Sequence, residues 1–189
     1  MTKTELRNVY KEKRGKLTLK ESIRLDDLLL IQFQQWPVPD IQTLLSYLPI
    51  NEKTEVNTHL MADYLSFRIP GLQLAFPVME FSDHLLRAVG VDDDTQYHQN
   101  SYGITEPLTG PEILPTEIDA IFIPLLIFDK DGYRVGYGKG YYDRFLRFCR
   151  DDALKIGFSY FEPVESISDI NQFDVPLNIC ITPNNIYEF

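Results

Sequence analysis

The chain has 189 residues, 44% of them apolar and 24% charged, which fits one soluble globular domain with no need of disulfide or metal staples. Acidic residues outnumber basic ones 28 to 18, and the resulting net charge of -10 repels polyanions, excluding DNA, RNA and anionic membranes as principal partners. An anionic small molecule would need a local basic pocket set against that field.

In chain order, residues 3–15 read as a helix with Leu6, Val9 and Tyr10 on one face and Lys3 and Arg7 on another. A second helix starts at Thr18, whose side chain and that of Glu21 can form a capping box. It carries Ile23, Leu25, Leu28, Leu29 and Phe33 as its apolar stripe and stops at Pro37. A short apolar strand follows at 41–48, a helix at 57–67, a strand at 73–78 and a helix-like turn at 83–89. Residues 118–128 read as one strand buried on both faces, and Asp131-Gly132 turns a hairpin back through Tyr133-Arg134-Val135. A helix from 141 to about 150 and strands at 154–160 and 177–182 complete the pattern. Residues 36–40, 92–95 and 106–115 read as irregular. Helices alternating with buried strands predict an α/β fold, three-layered, with a mostly parallel sheet and helices on both faces.

The first residues, Met1 to Arg7, have no apolar stretch of the secretory kind. The longest apolar run, 121–128, contains Pro124 and falls far short of the roughly 20 residues a membrane span needs. Cys149 and Cys180 have no CxxC partner and read as reduced, half-buried thiols, while His59, His84 and His98 have no ligand spacing and read as surface or strand-edge residues. A cytoplasmic protein is expected, monomeric rather than oligomeric.

The segment richest in chemistry is Arg134-Val135-Gly136-Tyr137-Gly138-Lys139-Gly140-Tyr141-Tyr142-Asp143-Arg144. Three alternating glycines between a strand and a helix allow backbone N–H groups to approach an anion, and a helix N-terminus would add partial positive charge. Lys139 lies in the loop, and Arg134 and Arg144 flank it. The spacing is neither a Walker A motif nor GxGxxG, and a glycine-rich tight turn with solvated charges is the competing structural reading.

The run from Asp129 to Asp143 closely resembles the signature of 5-formyltetrahydrofolate cyclo-ligases, also called methenyltetrahydrofolate synthetases, approximately G-x-R-[LI]-G-x-G-x-G-[YF]-Y-D. Lys3-Thr4-Glu5-Leu6-Arg7 resembles that family's N-terminal K-x-x-[LI]-R, and Leu45-Ser46 with Glu55-Val56-Asn57-Thr58 its substrate segment. Tyr102-Gly103-Ile104-Thr105-Glu106-Pro107 resembles its central element and Asp174-Val175-Pro176-Leu177 its C-terminal D-x-P-x-D. The resemblance implies a fold of the NagB/RpiA/CoA-transferase-like type. It also implies MgATP-dependent conversion of 5-formyltetrahydrofolate into 5,10-methenyltetrahydrofolate with release of ADP and phosphate. By position, it implies that Lys3, Arg7 and the loop residues Arg134, Gly136, Tyr137, Gly138, Lys139, Gly140, Tyr141 and Tyr142 hold ATP. Asp143 and Asp174 would hold Mg²⁺, and Leu45 and Glu55 the folate. Lys139 stands where many members have Gly, and Asn178 where they have a second Asp, so the metal rests on Asp143 and Asp174 alone.

The chemistry suits those residue types. A formyl oxygen is a poor leaving group until phosphorylated, and phosphoryl transfer rests on positioning and charge neutralisation. Lys139 and Arg144 are assigned as the catalytic cations. Lys3 and Arg7, four apart, can reach one anion, although a solvated charged helix face has the same spacing. The rival reading, a non-catalytic folate- or nucleotide-binding regulator on the same fold, would be marked by loss of Lys3, Arg7, Arg134 or Asp143, and all are intact. A sugar-phosphate isomerase on the same general fold would need a carboxylate base and no ATP.

Overall fold

A computed structural model describes residues 1–82, 85–101 and 103–189. Helix α1, Lys3–Gly15, is capped by Thr2: its hydroxyl accepts from Glu5 N at 3.3 Å while the Glu5 carboxylate accepts from Thr2 N at 2.8 Å. Its buried stripe is Leu6, Tyr10 and Arg14, so the third position is a buried cation. Helix α2, Leu19–Gln35, has the expected Thr18–Glu21 box, but its buried stripe is Ser22, Asp26, Leu29 and Phe33. The expectation of Ile23 in that stripe fails, since Ile23 is exposed. Asp26 takes an inward position because it has partners there, the Tyr160 hydroxyl at 2.8 Å and Asn57 N at 3.1 Å.

The strands are β1 (Thr43–Leu45), β2 (Gln73–Glu80), β3 (Leu85–Gly90), β4 (Tyr97–Gln99), β5 (Thr105–Pro107), β6 (Glu112–Ile113), β7 (Ala120–Ile123), β8 (Ile127–Phe128), β9 (Arg134–Val135), β10 (Leu154–Phe158), β11 (Ile179–Ile181) and β12 (Ile186–Glu188). Helix α3 is His59–Arg68 and helix α4 Tyr141–Leu146. Eight strands form one sheet in the order β12-β11-β10-β7-β1-β2-β3-β6. The central run β11-β10-β7-β1-β2 is parallel, while β12 on one side and β3 and β6 on the other are antiparallel. Alternation sorts the core. Leu44, Ala120, Phe122, Ile156 and Phe158 pack with Phe33, Met61 and Leu65 of α2 and α3. Leu45, Ile121, Ile123 and Cys180 pack with Tyr142, Phe145 and Leu146 of α4. The α/β, three-layer, mostly parallel architecture is therefore as the alternation of elements implies.

Four local expectations change. The single strand over 118–128 is two, because Pro124 has no N–H to extend the ladder. The chain leaves the sheet there, and β8 pairs with β9 in a separate hairpin. The helix-like turn at 83–89 is strand β3 wherever it falls within the described residues. Leu86 and Ala88 face the core opposite Met79 and Pro77 of β2, and this pairing overrides the helical propensity of Leu-Leu-Arg-Ala. Helix α4 ends at Leu146 instead of about 150. Phe148 N and Cys149 N bond three residues back, to Phe145 O at 3.0 Å and Leu146 O at 3.3 Å, and Arg150 turns away to Asp119 at 2.7 Å. Strand β6 lies within the stretch 106–115 read as irregular, and β5 runs into it. Glu106, 3% exposed, accepts from Met79 N and Asn100 Nδ2, both at 2.9 Å, and pins β5 to β2.

Cys149 is half-buried and Cys180 fully buried, with burial pushing both thiols up, Cys149 to about 11. His59 and His98 are exposed, and His84 and Tyr102 lie outside the described residues. Among the described residues no helix is long and apolar enough to cross a membrane.

Candidate active site

A cavity of about 800 Å³ opens at the carboxyl ends of β1, β2 and β7, where Tyr47 and Leu48, Phe81, and Pro124 follow the three strands. Parallel sheets bind ligands in this position, because successive strands deliver their following loops to one crevice. One wall is α1, which presents Lys3, Arg7, Lys11 and Arg14 along a single face. Facing it is the loop from β9 to α4, with Lys53, Glu52 and Glu55 completing the polar rim. Among the described residues the lining carries seven Lys and Arg side chains against four carboxylates, an excess of three positive charges in a chain of net charge -10.

The loop is shaped by two left-handed glycines, Gly138 at φ +89° and Gly140 at φ +71°. Arg7 locks it, with Nε donating to Gly136 O at 2.9 Å. The Arg7 guanidinium lies so close to Gly138 that a methyl there would sit 3.0 Å from its carbon. Arg134 bridges two segments: it pairs with Asp143 at 2.8 Å and donates to Val175 O. Val175 N in turn donates to Asp143 at 3.3 Å, and the neighbouring Asp174 pairs with Lys3 at 2.5 Å. Asp143 and Asp174 thus share one corner of the cavity, each neutralised by a cation.

Along α1, Lys3 and Arg14 are separated by about 16 Å at 1.5 Å per residue. At the Arg14 end the guanidinium donates to the Tyr137 hydroxyl, which donates to Glu55. Lys53 Nζ sits 4.6 Å from the Tyr137 ring centroid. Burial first, then the Glu55 charge, pushes the Tyr137 and Tyr142 hydroxyls upward, so both remain protonated donors. Among the described residues Arg14 Nε and Tyr142 Oη are buried without a hydrogen-bond partner, and both residues line the cavity. Tyr47, Leu48, Ile50, Met79 and Ile104 supply apolar wall at the same site.

Residues 1–183 match the model of the 5-formyltetrahydrofolate cyclo-ligase family. The chain belongs to that family. A 5-formyltetrahydrofolate cyclo-ligase of Mycoplasma pneumoniae is 32% identical over 96% of this chain and 98% of its own length. Another, from Mycoplasma genitalium, is 47% identical over 36% of this chain and 42% of its own length. The NMR structure of Aquifex aeolicus 5,10-methenyltetrahydrofolate synthetase superposes with a TM-score of 0.82 at 29% identity, covering 100% of this chain and 93% of that one.

Against this family frame, the cavity gathers Lys3, Arg7, Arg134, Gly136, Tyr137, Gly138, Lys139, Gly140, Tyr141, Tyr142, Glu55, Asp143 and Asp174. Two of the expected site residues, Leu45 and Arg144, lie outside the cavity lining. Leu45 is 0% exposed and packs beneath α4, because the alternation of β1 turns it into the sheet core; Tyr47 and Leu48, just beyond the strand, reach the cavity instead. Arg144 does not line the cavity. It donates to Lys139 O at 2.7 Å and lies near the Tyr141 ring, bracing the loop from behind. Helix α4 has only six residues, too short for the helix N-terminal contribution expected beside the loop. Asn178 lies away from the site, its Oδ1 accepting from Lys155 N at 2.9 Å.

Lys11, Arg14 and Lys53 also line the cavity, and none of them stands in a sequence motif. For the two on α1 a signal existed: positions 3, 7, 11 and 14 continue one helical face. Lys53 comes from a 3-10 turn, Asn51–Lys53, that no periodicity announces.

Proposed function

We infer that this cyclo-ligase draws on MgATP to close 5-formyltetrahydrofolate to 5,10-methenyltetrahydrofolate, with ADP and phosphate as the other products. The observation that carries the reading is one cavity with two unlike ends. Lys3, Arg7, Arg134 and the glycine loop form a cationic cradle, while Glu55, protonated phenols and apolar wall, with Arg14 and Lys53 beside them, make a floor for a flat polar ring.

In this reading the formyl oxygen attacks the γ-phosphorus and the bond to ADP breaks. N10 then attacks the formyl carbon, loses its proton, and the C–O bond breaks with phosphate as the leaving group. Lys3 and Arg7 hold the phosphates in line, and Lys139, exposed at the loop tip, adds charge beside the transferring group. Arg144 keeps the loop in shape through Lys139 O. Glu55 accepts from ring N–H donors of the folate.

Two carboxylates in one corner suit Mg²⁺, which takes one or two protein carboxylates and completes its shell with phosphate oxygens and water. Asp143 and Asp174 would hold it, and bound there it would neutralise charge on the phosphates. Among the described residues no group of three or more His, Cys, Asp or Glu could hold a metal, so phosphate would supply the remaining ligands.

The test is the ATP-dependent appearance of methenyl-folate absorbance from 5-formyltetrahydrofolate with purified protein. A rise that requires both ATP and Mg²⁺ is expected. No ATP-dependent signal at any Mg²⁺ concentration would remove the catalytic reading and favour a binding protein.

A further inference from the structure

We propose that Arg14 is a positioning residue for the folate half of the reaction, forcing the single proton of the Tyr137 hydroxyl onto Glu55 and so fixing the carboxylate that meets the substrate. The inference rests on the folate site proposed above and assigns a role to a residue outside every motif of the chain.

Arg14 is 5% exposed, on the inward stripe of α1 with Leu6 and Tyr10. An apolar side chain would fill that position without the cost of desolvating a guanidinium. What the guanidinium adds is direction. Its Nη1 donates to Leu125 O at 3.2 Å, which anchors it, and its Nη2 donates to the Tyr137 hydroxyl. Arginine has donors only, so the hydroxyl must accept from it and can send its own proton elsewhere. That proton goes to Glu55 Oε1.

The other carboxylate oxygen, Oε2, accepts from Ile50 N at 2.8 Å. Glu55 is therefore gripped through both oxygens. A carboxylate offers about four lone-pair sites, and about two remain for a ligand. The main chain is gripped as well: the Tyr160 hydroxyl lies 3.3 Å from Glu55 O and 2.8 Å from Asp26, which accepts from Asn57 N at 3.1 Å. Burial, reinforced by the Glu55 charge, keeps the Tyr137 proton in place. Lys53 and Lys11 lie 4.6 and 5.8 Å from the Tyr137 ring centroid. Without Arg14 the phenol could rotate its proton away, and Glu55 would keep only one fixed partner.

The experiment compares Arg14→Met, Arg14→Lys and Tyr137→Phe with wild type in steady-state kinetics, with 5-formyltetrahydrofolate binding followed by calorimetry in the absence of ATP. Arg14→Met should raise the folate KM by about tenfold or more while the ATP KM stays within about twofold. Arg14→Lys should recover part of the loss. On a Tyr137→Phe background, Arg14→Lys should change the folate constant no further, because the link is already cut. Additive effects, equal movement of both KM values, or a lower Tm with unchanged constants would overturn the proposal. Should Arg14 variants fail to fold, Tyr137→Phe decides alone, since it leaves the Arg14–Leu125 bond intact: unchanged folate affinity overturns the proposal. Absence of methenyl product from wild type would sink the proposed function itself. Normal wild-type turnover with unaltered folate constants in the variants would sink only the role of Arg14.

Discussion

Asp143 shows how one side chain can carry two duties. In the sequence it is a carboxylate at a helix start, expendable for folding if it serves only a metal. In the structure it is the partner of Arg134, whose side chain is 6% exposed, at 2.8 Å. Asp143→Asn therefore removes a charge opposite a buried guanidinium as well as the proposed metal ligand. We predict a stability loss of about 1–3 kcal/mol, from weakening a hydrogen bond to a charged group, and a Tm lower by several degrees. Turnover should fall further than that loss explains and respond less to added Mg²⁺. Thermal melts beside rates at graded Mg²⁺ check both parts. Wild-type melting with weakened Mg²⁺ response would mean that Arg134 does not depend on the pair. Residues of this kind were legible in the sequence because a long motif marks them. Arg14 was not, because a cation on an inward helical stripe reads as a break in the apolar pattern until the hydroxyl it meets, 123 positions along the chain, is brought beside it.

At the scale of elements, the loop between β9 and α4 depends on backbone shape more than on charge count. Gly138 combines φ +89° with a guanidinium carbon 3.0 Å from where a Cβ would stand. Gly136 has neither constraint: a Cβ there would meet only Pro124 O, at 3.7 Å. Gly138→Ala should cost about 1–2 kcal/mol from left-handed strain and raise the ATP KM severalfold by displacing Arg7, whereas Gly136→Ala should alter stability by no more than about 0.5 kcal/mol. Equal destabilisation by the two substitutions would show that the loop's shape does not rest on Gly138. The sequence announces this loop because glycines at alternate positions are visible locally. Strand β3 and the short α4 depart from their local sequence pattern for the opposite reason. Leu-Leu-Arg-Ala favours a helix until β2 pairs with it, and α4 looks longer than six residues until Arg150 is drawn to Asp119. Local propensity holds where an element caps itself, as α1 and α2 do, and gives way where a distant partner sets the conformation.

At the scale of the whole molecule, a chain of net charge -10 holds a cavity lined, among the described residues, by seven cations and four carboxylates. In a chain this acidic, an anionic ligand requires a local basic site. That site existed in the sequence only as fragments, residues 3–14, 53 and 134–139, which the carboxyl ends of the parallel strands bring together. Among the described residues the lining keeps an excess of three positive charges, so a bound polyphosphate should neutralise charge as well as form contacts. Saturation at about 100 times Kd stabilises a native state by about 2.7 kcal/mol, and about 2–4 °C of Tm accompanies each kcal/mol for a chain of this size. ATP should accordingly raise Tm by about 5–11 °C at low salt. The shift should shrink as ionic strength approaches about 1 M, where the screening length falls to about 3 Å. Melting curves with ATP across a salt series measure this directly. A shift that salt leaves untouched would mean that apolar contacts, and not the cationic face of α1 with its loop, dominate nucleotide binding.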